Sequence, residues 1–144
     1  MDDVERLAAI EEIKQIKARY FRCMDTKDWD GLTAVFAPDG VLDMSGEMDE
    51  NAEPGAGVTR GQAAIGAFMK AAVEHIVTVH HGHMPEITIT SPTTATGIWA
   101  MEDKLRFPNG KEMHGYGHYH ETYEKVDGEW RIATEKLTRL RRDS

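Results

Sequence analysis

Lys111-Glu-Met-His-Gly-Tyr-Gly-His-Tyr-His-Glu-Thr-Tyr-Glu-Lys-Val-Asp-Gly-Glu-Trp-Arg-Ile-Ala-Thr-Glu-Lys-Leu-Thr-Arg-Leu140 is the stretch on which the fold turns. Aromatic and β-branched residues recur along it. Asp127-Gly128 breaks it with a dipeptide that favours the left-handed geometry of a two-residue hairpin. Two antiparallel strands follow from this, over residues 111–126 and 129–140. Upstream, Pro108-Asn109-Gly110 marks a second hairpin turn and sets off a strand over 94–107. Ser91-Pro92-Thr93 then sets off another over 77–90.

The N-terminal half reads differently. Val4, Leu7, Ile10, Ile13, Ile16, Tyr20 and Met24 recur every three or four residues, with Glu and Lys largely between them, predicting one long helix over 4–25. Asp28 offers an N-cap for a short helix over 29–36, which Pro38-Asp39-Gly40 stops, and a short strand follows over 41–44. Residues 45–58 have no period and predict a surface loop with solvated acidic residues. Thr59-Arg-Gly-Gln62 has the form of a capping box, and Ile65, Phe68, Met69, Ala72, Val73 and Ile76 give a helix face. Helices first and a strand meander afterwards predict an α+β fold. Its helices cover one face of a strongly curved, antiparallel sheet, enclosing a cone with an apolar floor.

Composition narrows the function. At 144 residues the chain predicts one domain, 1–144, with one pocket and no separate cofactor domain. A formal net charge of -8, with basic residues clustered only over 139–142, argues against nucleic acid or an anionic membrane as partner. The single cysteine, Cys23, forbids an internal disulfide, and no leader or membrane-spanning run is visible, so the expected location is cytoplasmic.

Six of the seven histidines lie between Val77 and Glu121. His81-Gly-His83 with Glu86 suggests a metal site. However, the spacing is short for a cupin, the chain opens with helices, and no Pro-x-x-His returns, so the expectation is no metal. No Gly-x-Ser-x-Gly elbow exists, and Gly55-Ala-Gly57 follows no strand, which sets aside a nucleophilic serine and phosphate-bearing cofactors. General acid/base work by histidine remains. Tyr20 continues the apolar stripe of its helix, and Asp25 ends it. Strand parity puts Asp103 on one face with Trp99, Met101 and Leu105, where it is placed to orient an imidazole. Parity leaves two readings of the histidine strand: His81 and His83 point inward, or Gly82 and Pro85 introduce a bulge and His80 does. On the strand over 111–126, His118 and Tyr119 stand on opposite faces and are both candidates for substrate contact, as is His81.

Ala18-Arg-Tyr20, Asp25-Thr-Lys-Asp-Trp-Asp-Gly-Leu32, Thr78-Val-His80-His81, Gly97-Ile-Trp-Ala-Met-Glu-Asp103 and Gly117-His-Tyr-His-Glu-Thr-Tyr123 together resemble the SnoaL-like group of the nuclear transport factor 2-like superfamily. Within that group they are similar to the branch of scytalone dehydratase and the bile acid 7α-dehydratases. The resemblance implies a cone-shaped α+β fold, cofactor-free elimination of water from a small cyclic, polyketide- or steroid-like substrate, and a homodimer or homotrimer. It further implies Tyr20, Asp25, His80 and Asp103 as catalytic residues and Arg139 as a binding residue. On this reading His80, oriented by Asp103, takes a proton next to a carbonyl while Tyr20 hydrogen-bonds the oxygen and Asp25 tunes Tyr20. An isomerase or cyclase using the same proton abstraction, and a non-catalytic small-molecule binder, are the alternatives.

Overall fold

The computed structural model describes all 144 residues. The first helix, α1 (Asp3–Thr26), opens with a capping box in which Asp2 and Glu5 satisfy each other's amides, and Lys27 closes it in the left-handed region. Asp28 caps α2 (Trp29–Ala34) by accepting from the Gly31 amide. That helix ends two residues earlier than its pattern predicts, because Phe36 already pairs with Ile132 at the start of β1 (Phe36–Asp43).

A short 3-10 turn (Ser45–Glu47) leads towards β2 (Val58–Arg60) and α3 (Gln62–Val73). The predicted capping box does not form. Thr59 is consumed by pairing with Leu42, and Gly61, which has no side chain to offer, occupies the N-cap. Four long strands complete the chain: β3 (Val77–Ser91), β4 (Thr94–Arg106), β5 (Glu112–Val126) and β6 (Glu129–Asp143). Asp127 (φ 50°) and Gly128 (φ 81°) both adopt the positive φ that the tight β5–β6 hairpin requires.

The six strands form one sheet in the order β2-β1-β6-β5-β4-β3. Every neighbouring pair is antiparallel except β1 with β6, a parallel pair in an otherwise antiparallel sheet. α1 lies against β3 and β6, and α3 against β1, so the helices fill the concave face. Ile13, Ile16, Tyr20, Phe21 and Met24 of α1 join Leu42, Ile65, Trp99, Tyr119 and Leu137 in one core. Val4 and Leu7 belong to the predicted stripe but stand exposed, because the first turns of α1 lack a partner.

Irregularities in the ladders decide what points inward. β3 breaks register between His83 and Glu86. Thr78 and His80 are therefore buried before the break, while Ile87 and Ile89 pack on the core after it. A second break, opposite Thr122 and Tyr123, inserts Ala133 into β6 and turns Glu135 and Leu137 inward. No helix is long and apolar enough to cross a membrane.

Candidate active site

A cavity of about 260 Å³ opens between α1, α3 and the concave sheet. Thirteen of its seventeen lining residues are hydrophobic, including Met24, Met44, Met48, Phe68, Met69 and Met113. The polar exceptions run in one chain: Glu47 pairs with Arg139, Arg139 with Asp103, and Asp103 approaches the His80 ring. Such concentration of polar atoms in an apolar void is the usual form of a small-molecule site.

His80 ends that chain and ties it to α1. Its Nδ1 lies 2.7 Å from Asp25 Oδ1, and its backbone amide donates to Asp25 Oδ2 at 2.9 Å, so the end of α1 grips β3 through one carboxylate. Thr78 Oγ1 also donates to Asp25 Oδ1 at 2.9 Å, and Lys27 Nζ donates to Thr78 Oγ1 at 3.1 Å. Burial raises the Asp25 pKa, but the hydrogen bonds from the His80 ring and amide outweigh it and hold the carboxyl below its ordinary value. An ionised Asp25 accepts from Nδ1–H, so in the neutral ring the lone pair lies on Nε2. The ring stacks on Phe21 at a centroid distance of 6.3 Å.

Asp103 is differently employed from the expectation. Its Oδ2 is 3.9 Å from His80 Nε2, whereas Arg139 grips both its oxygens, at 2.7 and 3.1 Å. Asp25 therefore orients the imidazole, because α1 ends beside β3 while Asp103 has the stronger bidentate partner. Arg139 also donates from Nε to Glu47 at 2.6 Å, and Arg142 binds the same carboxylate. Those bonds keep the guanidinium firmly protonated against the effect of burial. The sequence puts Glu47 in a loop of solvated acidic residues; instead it ties the 3-10 turn onto β6 at the cavity wall. Gly115 makes room for the Asp103–Arg139 pair, since a side chain there would collide with both groups.

Tyr20 lines the cavity, but its hydroxyl donates to Glu135 Oε2 at 2.8 Å. Burial, then Glu135, push its pKa well above the usual phenol value, so its proton is committed to Glu135 rather than tuned by Asp25. Tyr119 is the second cavity phenol. Burial raises its pKa, and the carboxylates of Glu135, Asp103 and Glu121 act on it through space. His81 and His118 lie elsewhere: both point to the outer face of the sheet, His81 against Glu102 at 3.4 Å and His118 beside His120. Of the two readings of this strand the one with a bulge holds: His80 and Gly82 take the inward register before it, so His81 does not contact the cavity as expected. No three of His, Cys, Asp and Glu converge in metal-binding geometry.

Sequence reasoning missed Lys17, Glu121 and Glu135, which lie beneath Tyr20 and are all buried. Lys17 falls on the same helical face as Ile13, Ile16, Tyr20, Phe21 and Met24, and that spacing was the available signal.

Comparison with known proteins agrees with this architecture. A protein of Novosphingobium aromaticivorans provisionally named a scytalone dehydratase superposes with a TM-score of 0.85 at 20% identity, over 99% of this chain and 91% of that one. The hexachlorocyclohexane dehydrochlorinase LinA-type3 of Novosphingobium barchaimii gives 0.84 at 16%, over 99% and 93%. At these identities the likeness is one of fold, the nuclear transport factor 2-like cone. In sequence, the "Probable cyclase FGR4" of Gibberella zeae is 25% identical over 139 residues, 89% of each chain. The family model of the SnoaL-like domain matches residues 5–136, and the chain belongs to that family.

Proposed function

We propose that the protein is a lyase that removes water from a compact cyclic hydroxy-ketone using its own side chains. The observation that carries this reading is the Asp25–His80 pair, whose other ring nitrogen stands in a cavity with mostly apolar walls. His80 Nε2 takes the proton from the carbon next to the carbonyl, and the C–H electrons pass into the enolate. Tyr119, whose hydroxyl no carboxylate holds, donates a hydrogen bond to the enolate oxygen. The C–O bond at the β-carbon then breaks. The proton on Nε2 leaves with the hydroxyl as water, and His80 is neutral again. Asp25, with Asp103 at 3.9 Å on the other side, stabilises the imidazolium between the two steps.

Arg139 lines the cavity, yet its charge is engaged by Asp103 and Glu47, so its role is to position Asp103 rather than to bind an anionic substrate. The volume lies slightly under the ~300–1,000 Å³ of drug-sized pockets, which favours one or two rings over a long polycycle. The relative named as a cyclase favours a second reading, in which the same enolate rearranges without losing water. Product mass separates them. With a panel of cyclic β-hydroxy-ketones, the lyase reading predicts a product lighter by one water, whereas unchanged mass supports the isomerase or cyclase. Absence of turnover, together with unaltered ligand affinity in His80→Ala, would leave only a binding protein.

A further inference from the structure

Beneath the cavity lies a set of charges closed off from solvent. Lys17 Nζ is 2.7 Å from Glu121 Oε2 and 3.0 Å from Glu135 Oε1, with all three side chains 0% exposed. Glu121 and Glu135 are direct partners in the β5–β6 register, and both point inward. The groups around them are neutral. Tyr20 donates to Glu135, Tyr123 donates to Glu121 at 2.7 Å, Trp99 donates to the Tyr123 hydroxyl at 2.9 Å, and the Tyr119 ring lies 3.6 Å from Lys17 Nζ.

One ammonium and two carboxylates leave a net charge of -1 in a place where an unpaired charge costs several kcal/mol. Two carboxylates sharing such a site resolve the conflict by keeping one proton between them. We propose that the Lys17–Glu121–Glu135 cluster holds one proton, carried by Glu121 and hydrogen-bonded to Glu135, and that Glu121 is thereby a positioning residue for Tyr20. The neutral acid leaves Glu135 as the ionised acceptor that fixes the phenol in the cavity wall.

The balance of forces on the two carboxyls agrees. Burial and the facing Glu135 push Glu121 up to about 8 against the pull of Lys17, whereas Lys17 and the bonds from Glu121 and Tyr20 hold Glu135 below its ordinary value despite burial. The folded protein therefore binds one more proton than the unfolded chain between 4.5 and about 8. The contribution of Glu121 to stability falls as pH rises through that window and is level above it. Loss of the proton also sets two anions against each other under Tyr20 and Tyr119.

Infrared titration of the wild-type protein tests this without a substrate. The expected result is a protonated-carboxyl carbonyl band that fades as pH rises through about 8 and is absent in Glu121→Gln. Urea unfolding of Glu121→Gln, an uncharged isostere of the acid, is expected to lose the wild-type decline of stability across the same window. If turnover is found, the alkaline limb of kcat/KM moves to higher pH in this variant. The kinetic arm alone rests on the dehydratase reading. A wild-type spectrum without the band, or a band that survives in Glu121→Gln, overturns the inference. Absence of turnover with the band present overturns only the dehydratase reading.

Discussion

His80 and His81 are adjacent in the chain, and each faces a carboxylate, yet the sheet gives them opposite physical situations. His80, on the inner face, has a side chain 7% exposed and is bonded to Asp25 at 2.7 Å. His81, on the outer face, is 56% exposed and stands 3.4 Å from Glu102, where water competes for both partners. Exposed pairs of the second kind contribute ~0–1 kcal/mol and fix no geometry. Inside the cone the same chemistry is shielded, so the hydrogen bond determines a tautomer and the direction of a lone pair. Histidine beside carboxylate is thus a candidate base on one face and a solvated surface on the other.

Substitutions on the two faces sharpen that contrast. Replacing His80 with Ala is expected to lower kcat/KM by about 10²–10⁴-fold, or ~3–5 kcal/mol of transition-state stabilisation, read by steady-state kinetics. Lys17→Met would strip the buried carboxylates of their cation and cost ~3–5 kcal/mol of folding stability by urea denaturation. Asp25→Asn replaces an acceptor of three bonds with a group that cannot accept from both the ring and the amide of His80. A loss near the lower end of the acid/base range, about 10²-fold, should follow. Asp25 also carries a pH signature. Its carboxyl is held below 3.8 in the folded state, so its contribution is present above that value and lost as pH falls through the lowered one. Asp25→Asn should therefore flatten the acid edge of the stability curve. His81→Ala and His118→Ala, on the outer face, are expected to stay within about 0.5 kcal/mol in stability and to leave turnover unchanged.

How much of this was legible in the sequence depended on period and local chemistry. The hairpin at Asp127-Gly128, the Asp28 cap and the inward parity of Trp99, Met101 and Asp103 rest on turn geometry and strict alternation, and each emerges in the fold. The direction of β3 was not decidable, because whether Pro85 breaks the ladder depends on the neighbouring strand. The two carboxylates of His80 were exchanged for a similar reason. Asp103 shares its register with His80, and only the packing of α1 brings Asp25 closer. Lys17 escaped because a lysine in a helix rich in Glu, Lys and Arg suggests a solvated face. Its burial requires Glu121 and Glu135, over a hundred residues away, to meet it. Glu47 escaped likewise, its partners lying at the far end of β6.

The central claim is that His80, held by Asp25, is a base directed at a carbon acid inside the cone. Deuterium uptake by cyclic ketones in heavy water, followed by NMR, tests it whatever the natural substrate is. The account predicts protein-dependent exchange at the carbon beside the carbonyl, lost in His80→Ala and retained in His81→Ala. Exchange that persists in His80→Ala would contradict it.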